Sequence, residues 1–342
     1  METLELYRSR HRAAPLQPWL AAALLGLGVW TLAASAARGE ARCADRGARA
    51  PEARCESLRH DGRVRTYRIY VPPRLAAAVP LLLVLHGGGG AGAGMEALTA
   101  RGFNRRADEA GAIVVYPDGV GHFWNDGRHD PGSQAVADNV DDVGFLKALV
   151  AALAARYPVD RARVFVTGMS NGGMMTLRLA CEARDVFSGF VAVASSLNEQ
   201  LAASCEATGI ARLALIDGTL DPIVPWAGGS VAVLGTARGR VIGAPRSFAL
   251  FLAAARCRTE RTEPPLDQVA DDGTQLTLHV GEDCAGGAEV RLYELDGGGH
   301  AWPGGLRYAP EWLIGKVSRE LDATDETWRF LGLAAGKRPG PV

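Results

Sequence analysis

Apolar residues along this chain gather in short unbroken runs, and the segments between them carry apolar positions at helical spacing. Residues 81–85, 112–116, 164–167, 190–194 and 213–216 are apolar at both odd and even positions. That pattern suits strands buried on both faces of a parallel sheet. Residues 64–71 instead alternate polar and apolar before Pro72-Pro73, as an outer antiparallel strand does when one face is wet. Residues 95–110 read as one helix. Residues 138–157 read as another, with Val140, Val143, Leu146, Leu149, Val150 and Leu153 on one face. Asp141 and Asp142 stand near its start, where carboxylates complement the helix dipole. A last strand is expected over about 289–295. The alternation predicts one α/β domain with a mostly parallel central sheet and helices on both faces. No repeat or linker interrupts it.

The start of the chain follows a different rule. Arg8, Arg10 and Arg12 precede an apolar stretch over about 19–32, followed by Ala34-Ser35-Ala36. This is the layout of a secretory signal peptide, with cleavage expected after Ala36; an uncleaved membrane anchor is the rival reading. The expected organisation is signal segment 1–36, lead-in 37–54, catalytic domain 55–333 and tail 334–342. All six cysteines lie beyond residue 36, as an even set without a Cys-x-x-Cys pair. Disulfides are expected in an extracytoplasmic, secreted or periplasmic protein. Sequential pairing closes local loops: Cys43 with Cys55, Cys181 with Cys205, and Cys257 with Cys284. With 342 residues, 48% of them hydrophobic, the chain can bury a large core. A net charge of −1 without a long basic run argues against nucleic-acid binding. Small or oligomeric neutral substrates fit better, with no stable membrane association after cleavage.

Chemistry is carried by three Gly-rich stretches. Gly168-Met169-Ser170-Asn171-Gly172 lies between a buried strand and a helix-prone run, the setting of a nucleophile elbow. Glycine on either side removes the Cβ atoms that would block so tight a turn around Ser170. His86-Gly87-Gly88-Gly89-Gly90 follows an earlier buried strand and can turn backbone N–H groups toward a developing oxyanion. Gly88 is the expected donor there, with Gly87 and Gly89 as near alternatives, and the Asn171 backbone N–H is the second. Because that donor is backbone, Asn171→Ala is expected to cost little. Asp221 follows the 213–216 strand, and His300 follows the last strand in Asp296-Gly297-Gly298-Gly299-His300. The order Ser170, Asp221, His300 is that of an α/β-hydrolase triad, in which the acid fixes the histidine tautomer and the histidine takes the serine proton. Asp217 is the second choice for the acid, and Asp296 is too close in sequence to His300. The irregular stretch 119–134 holds His122, His129, Asp126 and Asp130 but no recognised ligand spacing, so neither metal nor other cofactor is expected. Trp124 within it reads either as a pocket wall or as the aromatic that packs its own loop.

These residues together resemble the secreted esterase family that includes polyhydroxybutyrate depolymerases of the LpqC type and feruloyl and acetylxylan esterases. The resemblance runs from about residue 64 to 332. It rests on Arg68-Ile69-Tyr70-Val71-Pro72, Leu85-His86-Gly87-Gly88, Tyr116-Pro117-Asp118-Gly119, the elbow with Gly173, Gly218-Thr219-Leu220-Asp221-Pro222 through Trp226, and Gly298-Gly299-His300-Ala301-Trp302-Pro303-Gly304-Gly305. It implies a serine esterase with Ser170 as nucleophile, Asp221 as acid and His300 as base, and with Trp226 and Trp302 lining the substrate pocket. It points to hydroxyalkanoate oligomers or small esters, with feruloyl or acetyl esters of plant polysaccharide as the alternative. A serine peptidase on the same fold and a non-catalytic envelope binding protein are the remaining readings.

Overall fold

In the computed structural model, residues 53–269 and 271–333 are described. The expected signal segment, Cys43 and the 334–342 tail lie outside them. The strands are β1 (Arg54–His60), β2 (Arg63–Tyr70), β3 (Val79–Leu85), β4 (Ile113–Pro117), β5 (Val159–Met169), β6 (Gly189–Val193), β7 (Arg212–Gly218), β8 (Gly229–Val233), β9 (Thr236–Val241), β10 (Thr259–Thr262), β11 (Gln275–Glu282) and β12 (Glu289–Asp296). The longer helices are α1 (Gly92–Leu98), α2 (Gly102–Ala110), α3 (Asp142–Arg156), α4 (Asn171–Glu182), α5 (Ala244–Ala254) and α6 (Ala323–Phe330).

One ten-stranded sheet carries the fold, in the order β1-β2-β4-β3-β5-β6-β7-β12-β11-β10. Its centre, from β4 to β12, is parallel. Antiparallel pairs β1/β2/β4 and β12/β11/β10 flank it on both sides. The apolar runs become the central strands because each parity faces a separate core. Leu81, Leu83 and Leu85 of β3 join a core with Phe145, Leu149, Met175 and Phe251 from α3, α4 and α5. Leu82 and Val84 join the other, with Met95, Phe103, Trp328 and Phe330 from α1, α2 and α6. Burying one such leucine fully stabilises the fold by roughly 1.5–3 kcal/mol, so two-sided burial makes these strands the firmest part of the scaffold.

Two expectations change. The single helix over 95–110 is two, because Ala100 and Arg101 adopt left-handed φ of 48° and 56° and turn the chain between α1 and α2. The aspartates before α3 also divide their work. Asp141 caps it, accepting the Gly144 N–H at 2.8 Å. Asp142 is buried, pairs with Arg65 of β2 at 2.6 Å and accepts the Asn125 N–H at 2.7 Å. Disulfides join Cys181 to Cys205 and Cys257 to Cys284. The pairing of Cys55 with Cys43 involves a residue outside the described range.

Candidate active site

The elbow forms where β5 meets α4. Ser170 sits between them with φ 56° and ψ −121°, a conformation that non-glycine residues occupy only when the surroundings impose it. Its N–H donates to the Val193 carbonyl at 2.8 Å. A Cβ on Gly172 would come within 2.5 Å of the His86 carbonyl oxygen, so glycine there lets α4 dock against the exit of β3. The Ser170 hydroxyl makes no hydrogen bond to a described residue, and Ser170 lines a cavity of about 220 Å³.

The Gly-rich loop after β3 is oriented by its own histidine. His86 is buried, and its Nε2 accepts the Gly119 N–H at 3.0 Å. Its proton is therefore on Nδ1, which donates to the Gly87 carbonyl at 2.8 Å. Gly90 N–H donates to the same oxygen at 3.0 Å. Across a trans peptide the carbonyl and the following N–H point opposite ways, so Gly88 N–H points away from these two donors, and Gly88 lines the cavity. Asn171 opens α4, so its N–H has no partner inside the helix.

Burial drives the His86 pKa below its usual value, more than the Gly87 carbonyl and Asp118 raise it. A histidine depressed in the folded state stabilises fully above its unfolded value of about 6.5, and that stability is lost as pH falls below it. Melting temperature should thus drop between about pH 7 and pH 5. His86→Gln should lower the melting temperature overall and flatten that drop; an equally steep drop in the variant would assign it to other groups.

His300 follows β12 and is itself buried. Its Nδ1 donates to Asp221 Oδ2 at 2.7 Å. The other oxygen, Oδ1, accepts backbone N–H groups from Ile223 at 2.7 Å and Val224 at 2.8 Å, which fixes the carboxylate plane. In the neutral imidazole this bond leaves Nε2 as the ring's acceptor, and His300 lines the same cavity as Ser170. The His300 backbone is also held, donating to Ile314 O at 2.5 Å and accepting from Tyr308 Oη at 2.9 Å. Asp217 is not at the histidine. It lies inside β7 and accepts the Ser195 N–H at 2.6 Å. Asp296 is exposed and accepts from Thr219 Oγ1.

The expected aromatic walls need correction. Trp124 is completely buried; its Nε1 donates to the His86 carbonyl at 3.0 Å and its ring lies 5.1 Å from the His86 ring. It packs under the loop and does not line that cavity. Trp302 is equally buried, with Nε1 on Thr324 Oγ1 and its ring edge-on to Phe103. Trp226 packs half-buried against the core and is not part of the cavity wall. Nearness in sequence to a reactive residue does not determine which side of the sheet a side chain takes. The apolar wall is made instead by Met95, Leu98, Met169 and Tyr308. Met95 and Leu98 carried only a helical signal, and Met169 stood unread inside the elbow motif.

Asn171 also departs from expectation, through its side chain. The buried amide accepts the Trp124 N–H at 2.8 Å and donates to Trp124 O at 3.0 Å and Asp126 Oδ2 at 2.6 Å. Asp126 in turn holds Arg128 at 2.9 Å, so its carboxylate is taken up in tying the 119–134 loop to Asn171 of α4, while Asp130 faces Arg238 of β9. Asn171→Ala should therefore cost about 3 kcal/mol of stability by stranding buried partners, although its backbone donor survives. A denaturation midpoint equal to that of the parent protein would contradict this.

Similarity to known proteins agrees with the geometry. Residues 105–207 match the prolyl oligopeptidase family, Peptidase_S9. A protein described as "Putative esterase NocK", from Nocardia uniformis subsp. tsuyamanensis, is 34% identical over 286 residues, 79% of this chain and 80% of its own. The chain belongs to the α/β-hydrolase esterases. Within this family, feruloyl esterase B of Piromyces equi is 26% identical over 197 residues (56% of this chain, 34% of its own). Poly(3-hydroxybutyrate) depolymerase of Ralstonia pickettii is 33% identical over 115 residues (32% and 24%). The solved acetyl xylan esterase from Aspergillus awamori shares the fold, with a TM-score of 0.53 at 18% identity over 82% of this chain and 99% of its own.

Proposed function

We propose that this esterase works through an acyl-enzyme on Ser170, with His300 as general base and Asp221 as its orienting acid. The observation that carries this reading is the Asp221–His300 bond of 2.7 Å, made by a histidine that lines the same cavity as Ser170. His300 Nε2 takes the hydroxyl proton as Ser170 Oγ attacks the ester carbonyl. The oxyanion is received by the N–H groups of Gly88 and Asn171. Protonated His300 then returns its proton to the departing alkoxide. Water, deprotonated by the same imidazole, releases the carboxylic acid and restores Ser170.

The substrate reading favours hydroxyalkanoate oligomers or small aliphatic esters. The cavity is small, and the polar side chains in its wall besides the reacting pair are engaged: both His86 nitrogens are bonded, and Tyr308 Oη donates to the His300 carbonyl. With the donors of these side chains committed inward, the wall favours an aliphatic ester over one recognised through a phenol or a sugar hydroxyl. Tyr308 of the cavity wall is exposed, and Leu306 and Trp312, on segments whose backbones bond Leu98 and His300 of that wall, are exposed large hydrophobic residues too, which favours an apolar ester chain. Two disulfides fit an oxidising compartment, and the proposed site of action is extracytoplasmic. A panel of p-nitrophenyl acyl esters, hydroxybutyrate oligomers, methyl ferulate, acetylated xylan and a peptide anilide tests this. Short acyl esters and hydroxybutyrate oligomers should give the highest kcat/KM. Preference for methyl ferulate or acetylated xylan would move the reading to plant polysaccharide esters, and preference for the anilide would move it to a peptidase.

A further inference from the structure

Asp217 is a buried carboxyl that the triad does not use. It lies near the end of β7, four residues before Asp221, and only 6% of its surface is exposed. Its Oδ1 accepts the Ser195 N–H at 2.6 Å, while Oδ2 has no partner among the described residues. The hydroxyls of Ser195 and Ser196, next to it on the exit from β6, are likewise buried without a partner.

The surroundings offer a negative charge nothing to rest on. From β12, the register neighbour is Glu294, whose carboxylate is taken by His279 Nε2 at 2.9 Å. From α4, Gly173 closes in so tightly that a Cβ there would lie 2.3 Å from Ser195 Oγ. The ionisable group that acts on Asp217 is Asp221, of the same sign. Burial pushes the Asp217 pKa well above the usual carboxylate range, outweighing the opposing effect of the Ser195 N–H, and Asp221 adds a lesser push in the same direction as burial. One oxygen is thus an acceptor for the Ser195 N–H, and the other is buried without a partner, a place that suits a protonated oxygen better than a charged one.

We propose that Asp217 is a neutral carboxylic acid that positions the nucleophile elbow, by clamping the exit of β6 to β7. The chain of contacts is short. Ala194, in a left-handed conformation with φ 49°, donates its N–H to Ile216 O at 2.9 Å, and Ser195 donates to Asp217 at the next residue. Together the two bonds fix the residues directly after Val193, whose carbonyl holds the Ser170 N–H. A strained residue such as Ser170 persists only where its neighbours over-determine it. A neutral acid supplies the clamp without setting a second negative charge beside Asp221.

The inference rests on the triad reading for its catalytic consequence, and the test separates the two. In an infrared difference spectrum near neutral pH, the parent protein minus Asp217→Asn should show a protonated-carboxyl stretch that shifts in heavy water. Asparagine keeps one acceptor and one donor in the same places, so Asp217→Asn should retain kcat within about twofold. Asp217→Ala should lower kcat about tenfold or more with KM little changed, because Ser170 is displaced from its base while Met95, Leu98 and Tyr308 of the cavity wall stay in place. Absence of the carboxyl band, or a loss in Asp217→Asn as deep as in Asp217→Ala, would overturn the proposal. The infrared band does not depend on turnover, so it stands even if Ser170 proves not to be the nucleophile.

Discussion

Ser170→Ala should leave a folded protein whose ester hydrolysis falls by about six orders of magnitude, the loss seen when the covalent nucleophile of a triad is removed. The elbow makes this variant informative. Ser170 lies at φ 56° because β5, α4 and the Val193 carbonyl fix it there, and alanine can occupy the same turn with the same N–H bond. The cavity, both N–H donors and the Asp221–His300 pair all survive. A residual rate near that of the parent protein would mean that the glycine-flanked serine is a structural turn. Stability, read from the denaturation midpoint, should change by about 1 kcal/mol or less, since the hydroxyl makes no bond to a described residue.

Asp221→Asn should lower kcat about ten-thousandfold, through the histidine tautomer. The Ile223 and Val224 N–H groups hold Asp221 Oδ1. In the variant they would hold the amide oxygen, turning the NH₂ toward His300. Nδ1 must then accept, the proton moves to Nε2, and the imidazole can no longer take one from Ser170. The same substitution at Asp217 is expected to be nearly silent, because that carboxyl is already neutral. The pair of variants therefore distinguishes the acid facing His300 from the one buried behind the elbow, which sequence order alone left as rivals. If Asp217→Asn were the inactive one, the two roles would have to be exchanged.

The contrast between legible and illegible parts has a physical basis. The central strands were legible because burial on both faces leaves no room for polar residues; 81–85 and 213–216 could hardly be anything else. β10, Thr-Glu-Arg-Thr, is exposed at every position and carries no such signal, and neither does the hairpin of β8 and β9. The break between α1 and α2 was hidden because Ala100 and Arg101 are ordinary helix formers, and docking of Gly102 against Thr324 of α6 overrides that preference. Candidate positions could be named where the proposed chemistry restricts the residue type, as at Ser170 and His300. The tryptophans were not, since Trp124 and Trp302 hydrogen-bond inward from loops that also carry reactive groups. Nor could the sequence reveal that Asn171 ties down Trp124 and Asp126, because those contacts join residues 45 or more positions apart.

The central claim, that Ser170 is the nucleophile of this esterase, is tested most directly by an active-site phosphonate followed by peptide mass mapping. The account predicts one adduct per chain, on the peptide containing Ser170, with hydrolysis lost in step with labelling and no labelling of Ser170→Ala. An adduct on another serine, or full activity after stoichiometric labelling, would contradict it.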